Sequence, residues 1–143
     1  MAEINKKASN FPKQGDMNMS QIQSIPHQGE VWLVNFKKIK ETSKPYRPCL
    51  VISNNEQNEF DEEVILVPLT TQEVIVGEIQ FFEVLIENSQ KAGLDEPSRI
   101  LLNRIHTVDK NLRLVKKLGQ VDSKTWVRVW KALWIVFTGR KLD

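Results

Sequence analysis

The chain lacks the residues and runs that define several large protein classes. Cys49 is its only cysteine, so no internal disulfide can form and a reducing compartment is expected. One cysteine and two histidines do not provide the ligand set of a zinc site. The longest C-terminal apolar stretch, Ala132–Phe137, is far shorter than the ~20 residues that a membrane helix needs. Glycine-rich phosphate loops and Gly-x-Ser-x-Gly elbows are also missing. We therefore expect no membrane association, no metal and no cofactor.

The 143 residues fit one domain of ordinary size, preceded by a polar segment. Residues 1–27 are rich in Lys, Asn, Gln and Ser and show no apolar periodicity, which predicts a mobile extension. The segment contains no apolar signal core. The sequence therefore predicts a cytoplasmic protein whose folded domain spans residues 28–143.

Positive charge is unevenly distributed, although the net charge is only +2. From residue 99 onward there are 11 Lys or Arg and 3 Asp or Glu. Residues 29–98 contain 6 Lys or Arg and 13 Asp or Glu. Within that acidic region, Lys37–Arg47 carries 5 basic residues and one acid. Basic segments that fold together can line a surface that binds phosphate, although solvated faces give the same pattern.

From Gly29 the pattern predicts short strands separated by polar loops. Runs of β-branched, aromatic and aliphatic residues define the strands. They are residues 31–36, 48–53, 64–69 and 79–86, followed by shorter pieces at 100–102, 105–108 and 115–121. Pro68 indicates an edge or a bulge in the third strand. Trp32 and Cys49 are expected to be buried, and base stacking is the alternative for Trp32. The segments 37–46 and 54–63 are predicted to be loops.

The C-terminal segment has a helical period. Asp122 suits the N-cap of a helix over residues 122–138, and Gly139 can end it. Large apolar residues recur at spacings of three and four, at Trp126, Val129, Trp130, Leu133 and Phe137. We expect these side chains to pack in the core or against a second copy. Together, the elements predict a mainly β fold, a small antiparallel barrel with a C-terminal helix.

Four segments stand out as motifs, in one fixed order within residues 29–137. They are GEVWLV at 29–34, RPCLVISN at 47–54, VPLTT at 67–71 and IHTVDK at 105–110. The combination resembles the MazF/PemK family of toxins. The family patterns are Gly-(Asp/Glu)-hydrophobic-Trp-hydrophobic-Val, Arg-Pro-x-(Val/Leu)-Val-(Ile/Leu)-Ser-Asn, Val-Pro-hydrophobic-Thr-(Thr/Ser) and Ile-(Arg/Lys)-Thr-hydrophobic-Asp-Lys.

The resemblance implies an SH3-like barrel of the MazF/PemK/CcdB kind and a toxin of a type II toxin–antitoxin system. Family members are usually homodimers that cut single-stranded RNA or mRNA at short sequences without a metal. For this chain, the resemblance implies RNA as substrate, and a cognate antitoxin and a second copy as partners. It implies DNA only indirectly, through autoregulation of the toxin–antitoxin pair. The expected products are a 2′,3′-cyclic phosphate and a 5′-hydroxyl, because the ribose 2′-hydroxyl attacks the adjacent phosphate.

Arg47 and Thr70 match the catalytic residues in this resemblance. Cleavage through a phosphorane of rising negative charge needs a fixed cation and a fixed hydrogen-bond donor. The forked guanidinium of Arg47 suits phosphate oxygens, and Thr70 at a strand end offers a hydroxyl. Glu41 and Asn103 are expected to support the site or to transfer protons. RNA binding is assigned to Lys37, Lys38, Lys40, Lys44, Thr71, Arg104 and His106.

The sequence also departs from the family pattern. Lys40–Pro45 lacks the family's Gly-(Ser/His)-Glu-Gln-x-Gly frame, although Glu41 falls near its glutamate. Asn103 stands where one branch has an aspartate, and His106 stands where most members have Arg or Lys. These departures support an alternative, a non-cleaving RNA-binding or regulatory module of the same fold. A second alternative is a gyrase-inhibiting toxin like CcdB, which relies on a C-terminal Trp-Gly-Ile, whereas this chain ends Gly139–Asp143.

Overall fold

The computed structural model describes residues 24–38, 44–71 and 77–141. These ranges contain strands and helices in nearly the order that the sequence predicts. The strands are β1 (Glu30–Asn35), β2 (Tyr46–Val51), β3 (Glu63–Thr71), β4 (Glu83–Ile86), β5 (Ser98–Leu101), β6 (His106–Asp109) and β7 (Leu114–Gln120). The helices are α1 (Asn55–Phe60), α2 (Lys110–Arg113) and α3 (Ser123–Thr138).

The strands form one antiparallel sheet with the order β4-β5-β3-β2-β1-β7. The long strand β3 joins its two parts, because Glu63–Leu66 pairs with β6 and Leu69–Thr71 pairs with β5. Pro68 lies between these two pairings. No described strand pairs with Pro68 on the side of β5 and β6, so its missing N–H costs no ladder hydrogen bond there. Register shifts between β1 and β7 bend the sheet further. The predicted mainly β, barrel-like fold with a C-terminal helix is confirmed.

Helix α3 covers one face of the sheet with the apolar side that its period predicts. It buries Val129, Ala132 and Leu133. The strand residues of this core include Val31, Leu50, Val67, Leu69, Val84, Ile86 and Ile100. Trp126 is partly buried against the same core. Trp130 and Phe137 are 52% and 72% exposed, so the expectation that they pack in the core of a single chain is wrong.

The ends of α3 follow the predicted capping residues. The Asp122 carboxylate accepts a hydrogen bond from the Thr125 N–H at 2.8 Å, which satisfies one free donor of the first turn. Gly139 ends the helix with φ of 72°, a left-handed conformation that glycine adopts without strain. Both signals are local in the sequence, which is why the limits of this helix were predictable.

The opposite face of the sheet encloses a second core. It consists of Trp32, Val34, Phe36, Cys49, Val51, Val64, Leu66, Val108 and Leu114. Trp32 is 2% exposed and its indole N–H donates to Glu30 at 2.9 Å, so this ring is a core residue and not a base-stacking platform. Cys49 is also buried, and burial raises the pKa of its thiol. The thiol therefore packs as a small apolar group.

Helix α1 occupies part of the segment 54–63, and the prediction of a loop there is wrong. Among its residues only Asn58 is buried, so no apolar period marks the helix in the sequence. The Asn54 side chain accepts from the Gln57 N–H at 2.8 Å and caps the first turn. Lys110 Nζ donates to the carbonyls of Asn58 and Glu59 at 2.6 and 3.1 Å and caps the last turn.

Other strand limits differ from the prediction for local reasons. Of the predicted strand 79–86, only Glu83–Ile86 is a strand, because Gln80 and Glu83 close a turn through bonds in both directions. Strand β2 begins at Tyr46, so Pro48 is its third residue and not its first. The short helix α2 follows β6 because the Asp109 carboxylate accepts from two N–H groups of its first turn.

The described end of the predicted extension, residues 24–27, belongs to the folded domain. Pro26 is buried, and the His27 N–H donates to Glu30 Oε1 at 2.9 Å. The domain therefore begins before the predicted boundary at residue 28. The rest of the predicted extension, residues 1–23, lies outside the described residues. Among the helices of the described ranges, none is both long and apolar enough to cross a membrane.

Candidate functional site

Two prolines end the β2–β3 ladder where the predicted catalytic residues lie. The pairing ends at Cys49 opposite Pro68. Neither Pro48 nor Pro68 has an N–H that could extend it. Continuing the same register by two residues sets Arg47 opposite Thr70. Residues directly opposite each other on antiparallel strands share a face. The continued register therefore places the two residues on the same face, just past the last backbone pair.

Arg47 is anchored through its own guanidinium. Its Nη2 donates to the carbonyl oxygen of Leu69 at 2.9 Å. Leu69 stands opposite Pro48 in the same register, so β2 offers this carbonyl no N–H, and the guanidinium supplies the donor instead. Within the described ranges, no carboxylate pairs with Arg47. As far as the described residues go, its remaining donors are therefore open to an anion.

A second arginine charge acts on Arg47. Burial lowers the pKa of Arg47, and the positive charge of Arg104 lowers it further. Two like charges at close range raise the local positive potential, which favours an anion between or beside them. Arg104, the predicted second cation, is exposed in the turn between β5 and β6.

The other predicted residues near this turn differ in what they can do. Asn103 is exposed beside Arg104. A side-chain amide donates and accepts hydrogen bonds but does not ionise, so proton transfer by Asn103 is chemically excluded and a supporting role remains. His106 begins β6 opposite Leu66, and its ring centroid lies 5.2 Å from that of Phe36. His106 thus packs at the edge of the second core.

Alternation along β3 separates the two neighbouring threonines. Thr70 faces the same side as Leu66 in the second core, whereas Thr71 faces the side of Leu69 and helix α3. In the described part of the chain, the Thr70 hydroxyl has no hydrogen-bond partner and can donate to a ligand. Thr71 does not share a face with Arg47, so a ligand must wrap around the strand end to reach both threonines.

The connection between β1 and β2 brings lysines to the same end of the sheet. Lys37, Lys38 and Lys44 are exposed, and the Lys37 ammonium lies 5.9 Å from the centroid of the Tyr46 ring. Arg113 fixes the start of the connection by donating to the Lys37 carbonyl at 2.9 Å. The predicted residues Lys40 and Glu41 lie outside the described residues.

Sequence reasoning missed one charged residue of this region. Arg99 lies opposite Thr70 in the β3–β5 pairing, and it is 1% exposed. Its Nη1 lies 3.0 Å from Glu83 Oε1 on the neighbouring strand β4. The sequence signal was weak, an arginine directly before an apolar run. Only the pairing of three strands reveals that this charge stands beside Thr70.

The chemistry of the region is that of an anion site. It combines guanidinium groups, exposed ammonium groups and a hydroxyl, all of which donate hydrogen bonds to phosphate oxygens. Among residues 24–38, 44–71 and 77–141, no group of three or more His, Cys, Asp or Glu side chains is arranged to hold a metal ion.

The chain is similar to known proteins over most of its length. A family model described as a PemK-like, MazF-like toxin of type II toxin–antitoxin systems matches residues 27–137. Endoribonuclease MazF of Staphylococcus saprophyticus is 33% identical over 106 residues, covering 73% of this chain and 85% of that protein. Endoribonuclease EndoA of Bacillus subtilis is 29% identical over 112 residues, covering 78% and 93%. In fold, the chain matches a mycobacterial endoribonuclease solved in complex with its cognate antitoxin. The TM-score is 0.65 at 23% identity, and the match covers 82% of this chain and 99% of that one.

Proposed function

Because the chain belongs to the family of PemK-like, MazF-like toxins of type II toxin–antitoxin systems, we propose that it is an endoribonuclease that cuts single-stranded RNA. The relatives from S. saprophyticus and B. subtilis are named for that activity. The observation that supports the proposal is the anchored guanidinium of Arg47 at the end of the β2–β3 ladder, where the continued register sets it opposite Thr70. A cation and a hydroxyl that face the same side can hold one phosphate between them.

The proposed reaction is an internal transfer within the RNA and needs no metal. The 2′-oxygen forms a bond to the adjacent phosphorus while the bond from phosphorus to O5′ breaks. The proton of the 2′-hydroxyl leaves to a base, and O5′ gains a proton as it departs. The products are a 2′,3′-cyclic phosphate and a 5′-hydroxyl.

Arg47 and Thr70 stabilise the phosphorane of this reaction. Negative charge accumulates on the two non-bridging oxygens as the new bond forms. A guanidinium already held by the Leu69 carbonyl does not need to reorganise when that charge appears. The Thr70 hydroxyl donates to the second oxygen. Arg104 raises the positive potential and holds the strand on the flanking phosphate.

Proton transfer is assigned to Glu41, with Asn103 as a supporting hydrogen-bond group. A carboxylate can accept the 2′-proton, which an amide cannot do. RNA contacts outside the reacting phosphate are assigned to Lys37, Lys38, Lys40, Lys44, Thr71 and His106. Binding through these groups releases counterions, so RNA affinity should fall steeply as salt rises.

We also propose that the active form is a homodimer. Helix α3 carries an outward apolar stripe, and its members are 40–72% exposed: Val127, Trp130, Trp134 and Phe137. Their spacing of three and four sets them on one side of the helix, opposite the buried side. Light scattering at micromolar concentration should give the mass of two copies. Trp134→Glu should yield monomers, whereas Lys131→Glu on the polar side should not. A monomeric wild type would overturn this part.

The proposed partners follow from the family. A cognate antitoxin should block the RNA site, and DNA should be contacted only through autoregulation by the toxin–antitoxin pair. We place the protein in the cytoplasm, where its substrate lies. An adjacent reading frame for a small antitoxin would support this assignment, and co-expression of that protein should abolish cleavage.

Incubation of the purified protein with mixed-sequence single-stranded RNA and an excess of chelator tests the function. Discrete fragments with cyclic phosphate and 5′-hydroxyl ends are expected, and an all-deoxy strand of the same sequence should stay intact. Binding of RNA without cleavage would contradict the proposal and support a non-cleaving module of the same fold.

A further inference from the structure

Arg99 and Glu83 form a buried ion pair beside Thr70 that the proposed cleavage chemistry does not use. The two side chains are 1% and 8% exposed and lie 3.0 Å apart. They sit on adjacent strands, Arg99 on β5 and Glu83 at the start of β4. Buried charges are rare because they lose hydration, so this pair calls for a physical reason.

The guanidinium of Arg99 binds more than the carboxylate. Nη1 also donates to the Glu78 carbonyl at 3.3 Å, and Nη2 donates to the Gly77 carbonyl at 2.7 Å. Glu83 in turn accepts a bond from the Gln80 N–H at 3.0 Å. The pair therefore joins strand β5 to both ends of the turn formed by residues 77–83.

Arg99 and Thr70 are cross-strand neighbours. They stand directly opposite in the β3–β5 register, which sets their Cβ atoms about 4.5–5.5 Å apart on one face. The next residue, Ile100, belongs to the core under α3, so Arg99 lies on the other face. On that face, the 77–83 turn is bonded to its guanidinium, and the side chain is buried.

The conformation of Gly77 fits this arrangement. Its φ is 106°, a value that side-chain-bearing residues rarely adopt, and among the described residues beyond its chain neighbours no atom lies within 4 Å of the position that a Cβ would take. Glycine is therefore needed for the direction of the backbone rather than for space. That direction points the Gly77 carbonyl at Arg99.

The pair can influence cleavage through geometry but hardly through charge. The charge of Arg99 is balanced by Glu83 at 3.0 Å, so the pair adds little attraction for phosphate. Well-packed apolar residues usually stabilise a fold as well as a buried ion pair does. Apolar residues, however, cannot donate hydrogen bonds to the Gly77 and Glu78 carbonyls. Without those bonds, they cannot fix the backbone beside Thr70.

We propose that Arg99 and Glu83 are a positioning pair for the cleavage site, which holds the end of β3, and with it the Thr70 hydroxyl, against the 77–83 turn. This inference rests on the proposed function. In this proposal the pair orients a hydrogen-bond donor for the transition state. The pair has no part in RNA affinity or in the choice of the cleavage sequence.

The test replaces both charges together, in the double variant Glu83→Leu/Arg99→Met. The net charge stays the same, so RNA affinity and its salt dependence should stay at wild-type values. Because the pair acts through the Thr70 hydroxyl, and loss of that hydroxyl should slow cleavage about 10-fold, kcat should fall by up to about 10-fold. KM should stay close to the wild-type value. Hydrogen exchange should become faster in the 77–83 turn.

Arg99→Lys, which keeps the charge but loses the planar fork, should give an intermediate kcat.

Ile100→Val is the matched control on the same strand. It removes a methylene from the core on the opposite face and leaves the Arg99 bonds intact. Its kcat should equal that of the wild type.

Two results would show that the proposal is wrong and that the pair only stabilises the fold. One is a loss of kcat in Ile100→Val as large as in the double variant. The other is wild-type kcat in the folded double variant. Should the double variant not fold, Arg99→Lys decides in its place: wild-type kcat would overturn the proposal. A wild-type protein that cuts no RNA would instead reject the proposed function, and the exchange data would then still report on the turn.

Discussion

Arg47 and Arg99 flank Thr70 on neighbouring strands, yet their surroundings are opposite. Arg99 is 1% exposed, pairs with Glu83 at 3.0 Å and also donates to the backbone carbonyls of Gly77 and Glu78. Arg47 donates to a single carbonyl, that of Leu69, and meets no carboxylate within the described ranges. Burial lowers the pKa of Arg47, and the like charge of Arg104 adds to that lowering. The same side chain therefore closes a structural network on one strand and remains open to an anion on the other.

The difference shows that the groups bonded to a charged side chain, rather than its residue type, decide what that side chain does. A paired charge in a closed network has no donor left for a ligand. A partly buried cation beside another cation is costly to the free protein, and an arriving phosphate relieves that cost. Groups held in such an unfavourable state mark functional sites more often than structural ones.

The largest expected effect concerns the paired arginine. Arg99→Met alone leaves the Glu83 carboxylate buried without its partner, which typically costs about 3–5 kcal/mol of stability. The double variant Glu83→Leu/Arg99→Met should recover most of that loss. Urea denaturation of both proteins measures the difference. Equal stability of the single and double variants would mean that the pair is not coupled.

For the open arginine, the effect should appear in rate and not in stability. Arg47→Ala removes an electrostatic donor that typically contributes ~10²–10³ in rate. Within the described ranges the Arg47 side chain donates one hydrogen bond, to Leu69, so its loss should lower the unfolding free energy by about 1 kcal/mol. Arg47→Lys should also be severely impaired, because the ammonium cannot offer a planar fork. Single-turnover cleavage and denaturation of the same preparations provide both values. A folded Arg47→Ala protein that cuts at the wild-type rate would reduce the family match to a likeness of fold.

Thr70, which lies between the two arginines, should show a smaller effect. Thr70→Val keeps the shape and removes the hydroxyl, so the loss of one bond to a charged oxygen should slow cleavage about 10-fold. Thr107→Val is a control of the same chemistry on the exposed side of β6. Cleavage by both variants is compared under single-turnover conditions. Equal rates for the two would remove Thr70 from the proposed chemistry.

The last effect concerns stability alone and belongs to a second carboxylate network, that of Glu30. Burial opposes its ionisation, but bonds from the His27 N–H, the Trp32 indole and Lys117 bring the pKa of Glu30 below the ordinary 4.5. A lowered pKa stabilises the fold above pH 4.5, and this stabilisation is lost as the pH falls through the lowered value. Glu30→Gln should therefore cost about 1–2 kcal/mol at pH 7 and progressively less below pH 4.5. Denaturation midpoints from pH 7 to pH 3 measure this, and a constant difference across that range would contradict it.

The elements that the sequence predicts well are those whose signals are local. Helix α3 has an apolar period, an aspartate N-cap and a glycine C-cap within its own residues. Helix α1 was missed because its C-terminal cap comes from Lys110, which is 51 and 52 residues away from the carbonyls that it binds. A polar helix held by such a distant contact has the composition of a loop.

The candidate site divides in the same way. Arg47 and Thr70 could be named because each lies in a short motif. Their position opposite each other depends on a strand register and on two prolines that end it, neither of which one segment reveals. Arg99 could not be predicted, because its role arises only when β3, β4 and β5 lie side by side. Thr71 looks equivalent to Thr70 in sequence, and only the alternation of β3 separates them.

The most direct test of the central claim uses a short RNA with one mapped cleavage site and a single deoxyribose substitution. In one substrate, the nucleotide on the 5′ side of the scissile phosphate lacks its 2′-hydroxyl; in the other, the nucleotide on the 3′ side lacks it. Wild-type protein, assayed with chelator present, should leave the first substrate intact and cut the second at nearly the rate of the all-ribose strand. Cleavage of the first substrate at that rate would show that the 2′-hydroxyl is not the nucleophile, and the roles assigned to Arg47 and Thr70 would fall with it.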